Sequence, residues 1–135
     1  MNYTFPITKD MACAKSMLPI SYKYTLFISR NINTLPYPKA KKIIEGMASE
    51  KLALKGKFYT KASGHILKLL EVLESNAKAK NLDTEKMKLF ISTSKGPTMY
   101  RLRRKQMYGK QMRVCNVQVI LKKGGKVGTG KEVHK

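Results

Sequence analysis

From Lys86 to Lys131 the chain contains no Asp or Glu, while Lys and Arg there number 13. A stretch so one-sided cannot neutralise itself by folding, and compaction works against its own repulsion. The rest of the chain does not compensate. The 135 residues hold 28 Lys and Arg against 8 Asp and Glu, a formal charge of +20. A polyanionic partner is the first implication. Four of the five Arg (Arg101, Arg103, Arg104, Arg113) fall within 13 positions. Arg grips phosphate through a planar fork and stacks on bases, whereas Lys is a hydrated point charge. That cluster therefore points to shaped contact with nucleic acid.

Several function classes drop out early. The length suits one domain, and 42% hydrophobic residues support a modest core. Two cysteines, Cys13 and Cys115, exclude a disulfide scaffold and fit a reducing compartment, so a cytoplasmic location is expected. Lys9, Asp10 and Lys15 interrupt the N-terminal region, so no signal peptide is expected. The uncharged run Tyr24–Ser29 is far too short to span a bilayer, and no membrane partner is expected. Gly125–Lys131 matches the front of a phosphate-binding loop, G-x4-G-K. Glu132 stands where Ser or Thr is needed for Mg²⁺, and with Val133, His134 and Lys135 after it the motif's helix is not expected. Cys13, His65, Cys115 and His134 lack zinc spacing, so neither metal nor cofactor is expected. No carboxylate cluster marks a nuclease site, and no catalytic residue is assigned.

Residues 1–20 read as an extended arm or edge strand. Tyr22–Ser29 is ambiguous. Alternation puts Tyr22, Tyr24, Leu26 and Ile28 on one face, while helical spacing groups Thr25, Ile28, Ile32 and Leu35 behind Ser21 as N-cap. Composition leans to the strand. Pro38 then opens a short helix with Ala40, Ile43, Ile44 and Met47 on one side. The clearest element is Thr60–Lys80, striped by Ala62, Ile66, Leu69, Leu70, Leu73 and Ala77. Thr60 is placed to cap it and Asn81 to take the left-handed position after it.

Lys86–Ser94 and Val114–Lys122 both alternate like half-buried strands, with Met87, Leu89, Ile91, Thr93 and Cys115, Val117, Val119, Leu121 as the apolar faces. Between them, Lys95–Arg113 has almost no aliphatic content. A structureless loop of that length is uncommon. Continuing both strands outward as a hairpin is simpler, with Ile91 opposite Val119 and the turn near residue 105; a bulge would shift it toward Gly109. Each strand residue adds about 3.3 Å, so about nine a side reach on the order of 30 Å. Such an arm exposes Tyr100, Arg101, Arg103, Arg104, Lys105, Tyr108 and Arg113. Its tyrosines can stack on unpaired bases while its cations hold phosphates.

Several segments resemble one family. Leu18-Pro19-Ile20-Ser21-x-Lys23 is similar to L-P-I-S-P-K. Gly56-Lys57-Phe58-Tyr59-Thr60-Lys61-Ala62 is similar to G-R-[WY]-P-x-K-[SA]. Leu73–Ala77 followed by Lys80-Asn81-Leu82-Asp83 resembles L-x-[NS]-A-x-[SA]-N-A…K-G-L-D. Lys95-Gly96-Pro97 resembles K-[GA]-P, and Tyr108-Gly109-Lys110 resembles [FH]-G-R. These motifs, in order from about Cys13 to Lys122, belong to the large-subunit ribosomal protein twenty-two family, archaeal and eukaryotic branch (numbered seventeen in eukaryotes).

The resemblance implies an α+β fold, with three helices packed on a small three-stranded antiparallel sheet and a long protruding β-hairpin. It makes Tyr22–Asn33 the first helix, against the compositional lean, with Pro38–Met47 the second and Thr60–Lys80 the third. It implies a structural constituent of the large ribosomal subunit, with rRNA, neighbouring proteins near the tunnel exit and the nascent polypeptide as partners. By motif position Lys23, Lys57, Lys61, Arg101 and Lys110 are candidates for rRNA contact. Lys95, Tyr100, Arg103, Arg104, Lys105 and Arg113 join them from the arm. Gln106, Met107, Tyr108, Gly109 and Lys110 are the expected tunnel-lining tip. The segmentation expected within a single domain 1–135 is an N-terminal arm and first strand (1–20), a helical part with the second strand (21–94), the extended hairpin (95–113), the last strand (114–122) and a basic tail (123–135). The family's long basic insertion between the second and third helices is nearly absent, with Ala48–Lys55 in its place, and the arm is a few residues short. The alternative is a free-standing RNA- or DNA-binding protein outside the ribosome.

Overall fold

A computed structural model describes Tyr3, Thr4, residues 6–103 and residues 105–123. Arg104, the tail from Gly124 onward and the Gly125–Lys131 loop match lie outside the described residues. The order is β1 (Ala12–Leu18), α1 (Tyr22–Ile32), α2 (Tyr37–Ala48), α3 (Thr60–Ala79), β2 (Met87–Lys95), β3 (Met99–Tyr100), β4 (Gln111–Met112) and β5 (Cys115–Lys123). β5 lies in the middle of an antiparallel sheet ordered β1-β5-β2. Ile91 pairs with Val119, the register read from the two alternating patterns. One face of this sheet is apolar and lies under the helices. Val117, Val119 and Leu121 meet Ile28, Ile32, Ile66, Leu70 and Leu73 in one core. α3 packs on β1, α1 on β2, and α2 against α3.

The strand reading of Tyr22–Ser29 is overturned: the segment is helical. The helical stripe Thr25, Ile28, Ile32 is buried, whereas Tyr22 and Tyr24, two of the residues alternation would have faced inward, are 38% and 39% exposed. Burial of the aliphatic stripe outweighs the β preference of the tyrosines. Ser21 does occupy the N-cap, but its side chain makes no capping bond. Its carbonyl instead accepts from both the N–H (3.0 Å) and the hydroxyl (2.9 Å) of Thr25.

Thr60 is not the cap of α3. That position falls to Tyr59, whose φ of 51° is left-handed, and Thr60 becomes the first helical residue. The chain arrives through a tight turn, Leu54–Lys57, closed by reciprocal backbone bonds of 2.9 and 3.1 Å. Lys55 and Gly56 both have positive φ there (48° and 75°), the requirement of a type I′ turn. Ser63 then donates its N–H (3.0 Å) and hydroxyl (3.1 Å) to the Tyr59 carbonyl. Asn81 takes the left-handed position after α3 (φ 52°), as its sequence position predicts.

Both sheet edges are partly covered. Asn76 Nδ2 and Lys80 Nζ donate to the carbonyls of Cys13 (3.0 Å) and Met11 (2.8 Å). On the other side the Asn33–Leu35 link bonds to Leu89 through Thr34 N–H (2.8 Å) and the Leu35 carbonyl (2.9 Å). α2 is tied to α3 through Glu74, which accepts from Tyr37 Oη (2.8 Å) and Lys41 Nζ (2.6 Å). Burial pulls the Glu74 carboxyl upward, but the bonds from Lys41 and Tyr37 together outweigh it and hold the group below its usual range. A depressed carboxyl stabilises the fold above its unfolded value of about 4.3 and loses that contribution as pH falls through the lower folded value. Glu74→Gln is therefore expected to be less stable than wild type at pH 7. The two should begin to converge below about pH 4 and meet only once pH has passed the lower folded value; urea titrations across pH check this.

The arm departs from the simple continuation of two strands. Pairing runs to Lys95–Cys115 and one step further, where Gly96 N–H donates to the Val114 carbonyl (3.1 Å). It resumes as Met99–Met112 and Tyr100–Gln111. Pro97 and Thr98 thus oppose Arg113 alone, a β-bulge at a residue with no N–H to donate. The tip closes through a short 3-10 turn at Lys105–Met107, with Gly109 at φ 71°. The turn stays near residue 105 and does not move toward Gly109, but the arm is two short ladders with a break, not one continuous hairpin of nine residues a side.

Gly96 sits where the arm leaves the sheet. A Cβ there would stand 2.7 Å from Val114 Cγ1 and 2.9 Å from the Val114 carbonyl carbon and oxygen. The backbone atoms cannot move without breaking the ladder. Gly96→Ala is expected to destabilise the protein by about 1–3 kcal/mol, read from thermal unfolding.

Candidate nucleic-acid interface

The start of α1 is a crossroads. Three open clefts meet there, and Ser21 and Arg113 line all three. The first runs between the arm and the starts of α1 and α3, lined by Pro19, Tyr24, Lys61, Arg101, Met107 and Lys110 among others. The second follows the root of the arm past Tyr22, Lys23, Lys95, Gly96 and Pro97. The third lies along α1 and the tight turn, with Lys23, Tyr24, Phe27, Arg30, Lys57 and Tyr59. The arm therefore leans over the helix starts on one side. Its other side, with Tyr100 (64% exposed), Leu102 (80%), Arg103 and Tyr108 (66%), faces outward.

Charge in these clefts has one sign. Eight cations line them (Lys23, Arg30, Lys57, Lys61, Lys95, Arg101, Lys110, Arg113), and no Asp or Glu does. All eight are exposed. The ion pairs found among the described residues, Lys41–Glu74 and Lys86–Asp83, involve none of them. Neither α1 nor α3 has an acidic residue in its first turn, so the positive ends of both dipoles add to the same field. Low-dielectric walls with a single sign of charge concentrate that field on any anion that enters.

An aromatic cluster sits within the third cleft. Tyr24 and Tyr59 meet edge to face with centroids 5.2 Å apart, and Phe27 lies 5.8 Å from Tyr59. Lys55 Nζ stands over the Phe27 ring at 5.3 Å. The left-handed backbone at Tyr59 brings its ring against α1.

The structure thus groups seven of the predicted residues: Lys23, Lys57, Lys61, Lys95, Arg101, Lys110 and Arg113. It does not bring Tyr100, Arg103, Gln106, Tyr108 or Gly109 into the clefts, while Met107 lines the first. Lys105 begins the turn at the tip, and Arg104 lies outside the described residues. Sequence reasoning missed Arg30, Tyr24 and Phe27. Lys23, Phe27 and Arg30 follow one another at helical spacing on the face opposite Thr25, Ile28 and Ile32, so the signal was present once the helix was accepted. His65 is half-buried on α3 and Cys115 is buried in the core, where burial pushes its thiol up. Among the described residues no group of three His, Cys, Asp or Glu could hold a metal ion, and no helix is long and apolar enough to cross a membrane.

Comparison with known proteins gives this face a context. A family model described as ribosomal protein L22p/L17e matches residues 13–122, from β1 through the arm and into β5. The large ribosomal subunit protein uL22 of Archaeoglobus fulgidus is 28% identical over 109 residues, covering 64% of this chain and 70% of that protein. The matched span contains every residue that lines the three clefts. With the fold and most of the chain in agreement, this protein belongs to the ribosomal protein L22p/L17e family, and its role is structural within the ribosome, not catalytic.

Proposed function

We propose that this chain binds large-subunit rRNA through the basic face at the start of α1, and that its arm lines the nascent-peptide exit tunnel. One observation carries the reading: eight exposed cations around three joined clefts, with no carboxylate among the lining residues. Phosphates of folded RNA fit such a surface because each cation can engage one without displacing an internal ion pair. Lys23, Lys57, Lys61, Lys95, Arg101, Lys110 and Arg113 hold the backbone, with Arg30 added. Tyr100 and Arg103 contact RNA on the outer side of the arm, and Arg104 and Lys105 also contact RNA. The tip, Gln106 to Lys110, borders the tunnel and meets the nascent polypeptide, while the globular part adjoins neighbouring ribosomal proteins near the exit. The setting is the cytoplasmic ribosome.

Sucrose-gradient sedimentation of the tagged protein in low salt tests the reading, combined with ultraviolet crosslinking of RNA to individual residues. Cosedimentation with the large subunit and crosslinks to rRNA at the arm and the start of α1 are expected. A protein that stays at the top of the gradient, or crosslinks to other RNA or to DNA, overturns it in favour of a free-standing nucleic-acid module.

A further inference from the structure

We infer that Tyr24, buttressed by Tyr59, is a stacking platform for a single unpaired RNA base, so that the globular face takes a splayed-out nucleotide and not only duplex backbone. The inference rests on the rRNA-binding reading and deepens it.

Three observations carry it. First, Tyr24 lines two of the clefts and remains 39% exposed, although it sits on a helix whose other face is in the core. Its ring is held edge to face by Tyr59 at 5.2 Å, so the platform is braced before any ligand arrives. Second, Tyr59 has φ 51°. A bulky residue in that region is strained, and the strain is tolerated where it positions something. Tyr59 also stands where the motif G-R-[WY]-P-x-K-[SA] has proline. Proline is locked near φ −65° and cannot adopt this backbone. The aromatic brace is thus a departure of this chain from the pattern it otherwise follows. Third, Lys23, Arg30, Lys57 and Arg113 ring the same cleft without a carboxylate. A flipped nucleotide presents a flat π-face and a flanking phosphate together, and this arrangement answers both. A duplex presents only the phosphates.

The test uses the full chain and two RNA probes: a single-stranded 12-mer carrying one 2-aminopurine, and a duplex of the same sequence. Binding and 2-aminopurine fluorescence are measured for wild type, Tyr24→Phe and Tyr24→Leu, with circular dichroism melts to verify folding. Wild type should quench the probe in the single strand. Tyr24→Phe, which keeps the ring, should bind within about twofold of wild type. Tyr24→Leu should bind the single strand about tenfold more weakly, lose the quenching, and keep the same dependence of affinity on salt. Duplex binding should not distinguish the three. If Tyr24→Leu retains both affinity and quenching, or wild type shows no quenching while binding both probes equally, the stacking site is refuted and the rRNA-binding reading survives. If wild type binds neither probe in low salt, both fall.

Discussion

Raising salt from 50 to 200 mM should weaken binding of large-subunit rRNA by about 10³–10⁴-fold, on the argument of counterion release. The number comes from counting the cleft cations alone, not from the total charge, and is a lower bound to which contacts by Arg103, Arg104 and Lys105 would add. Eight of them line the three clefts, all exposed and none in the ion pairs described above. If each displaces one counterion from phosphate, the slope of log affinity against log salt lies between about −5.6 for single-stranded RNA and −7.2 for a duplex. A titration by filter binding or anisotropy measures it. Arg113→Ala should weaken binding and reduce the steepness by about one contact, since Arg113 borders all three clefts. A slope near −2 would mean that the cations are not gathered against one polyanion, whatever their proximity in the free protein.

The second large effect belongs to the core. Leu70 is fully buried on α3, among the residues that meet β5. Leu70→Ala should cost about 2–5 kcal/mol, because the removed side chain leaves a cavity that packed neighbours fill only in part. Urea denaturation with an unchanged m-value measures the loss. Arg101→Ala, on the exposed arm, should change stability by less than about 0.5 kcal/mol while weakening RNA binding. The two variants separate the two halves of the molecule: one part is held by its own interior, the other is built for contact.

How much of this could be read from residues alone follows from where each energy lies. The α3 stripe from Ala62 to Ala77 and the alternation in β2 and β5 were legible because burial repeats with a period, and that period carried even the Ile91–Val119 register. α1 was misread by composition because its tyrosines have β preference but lie on the solvent side, where preference counts little. The strand ends shifted by one residue, from Lys86–Ser94 to Met87–Lys95 and from Val114–Lys122 to Cys115–Lys123, so that each strand opens on the buried residue, Met87 or Cys115, that leads its apolar face. Ser21 and Thr60 are cap-type residues in cap-like places, yet neither side chain caps its helix. In both cases the carbonyl of the N-cap residue is instead engaged from four residues on, by Thr25 and Ser63. The left-handed Tyr59 had no local signal at all, because bulky aromatics rarely adopt that backbone. Arg30 was hidden for a different reason: it is far in sequence from the arm and joins the clefts only through the path of α1.

The extra residue at Pro97–Thr98 acts as a half-turn written into the strand. Side chains alternate with a period of two along each strand, so one unmatched residue changes which residues of the two strands share a face beyond it. Beyond it Met99 is set against Met112 and Tyr100 against Gln111, where an unbroken continuation of the Lys95–Cys115 register would set them against Gln111 and Lys110. Growth or loss of matched pairs beyond the break would change the arm's reach and leave its faces alone. A change of one residue on one strand would invert them. Descendants of this protein are therefore free to vary the arm's length in steps of two far more readily than in steps of one.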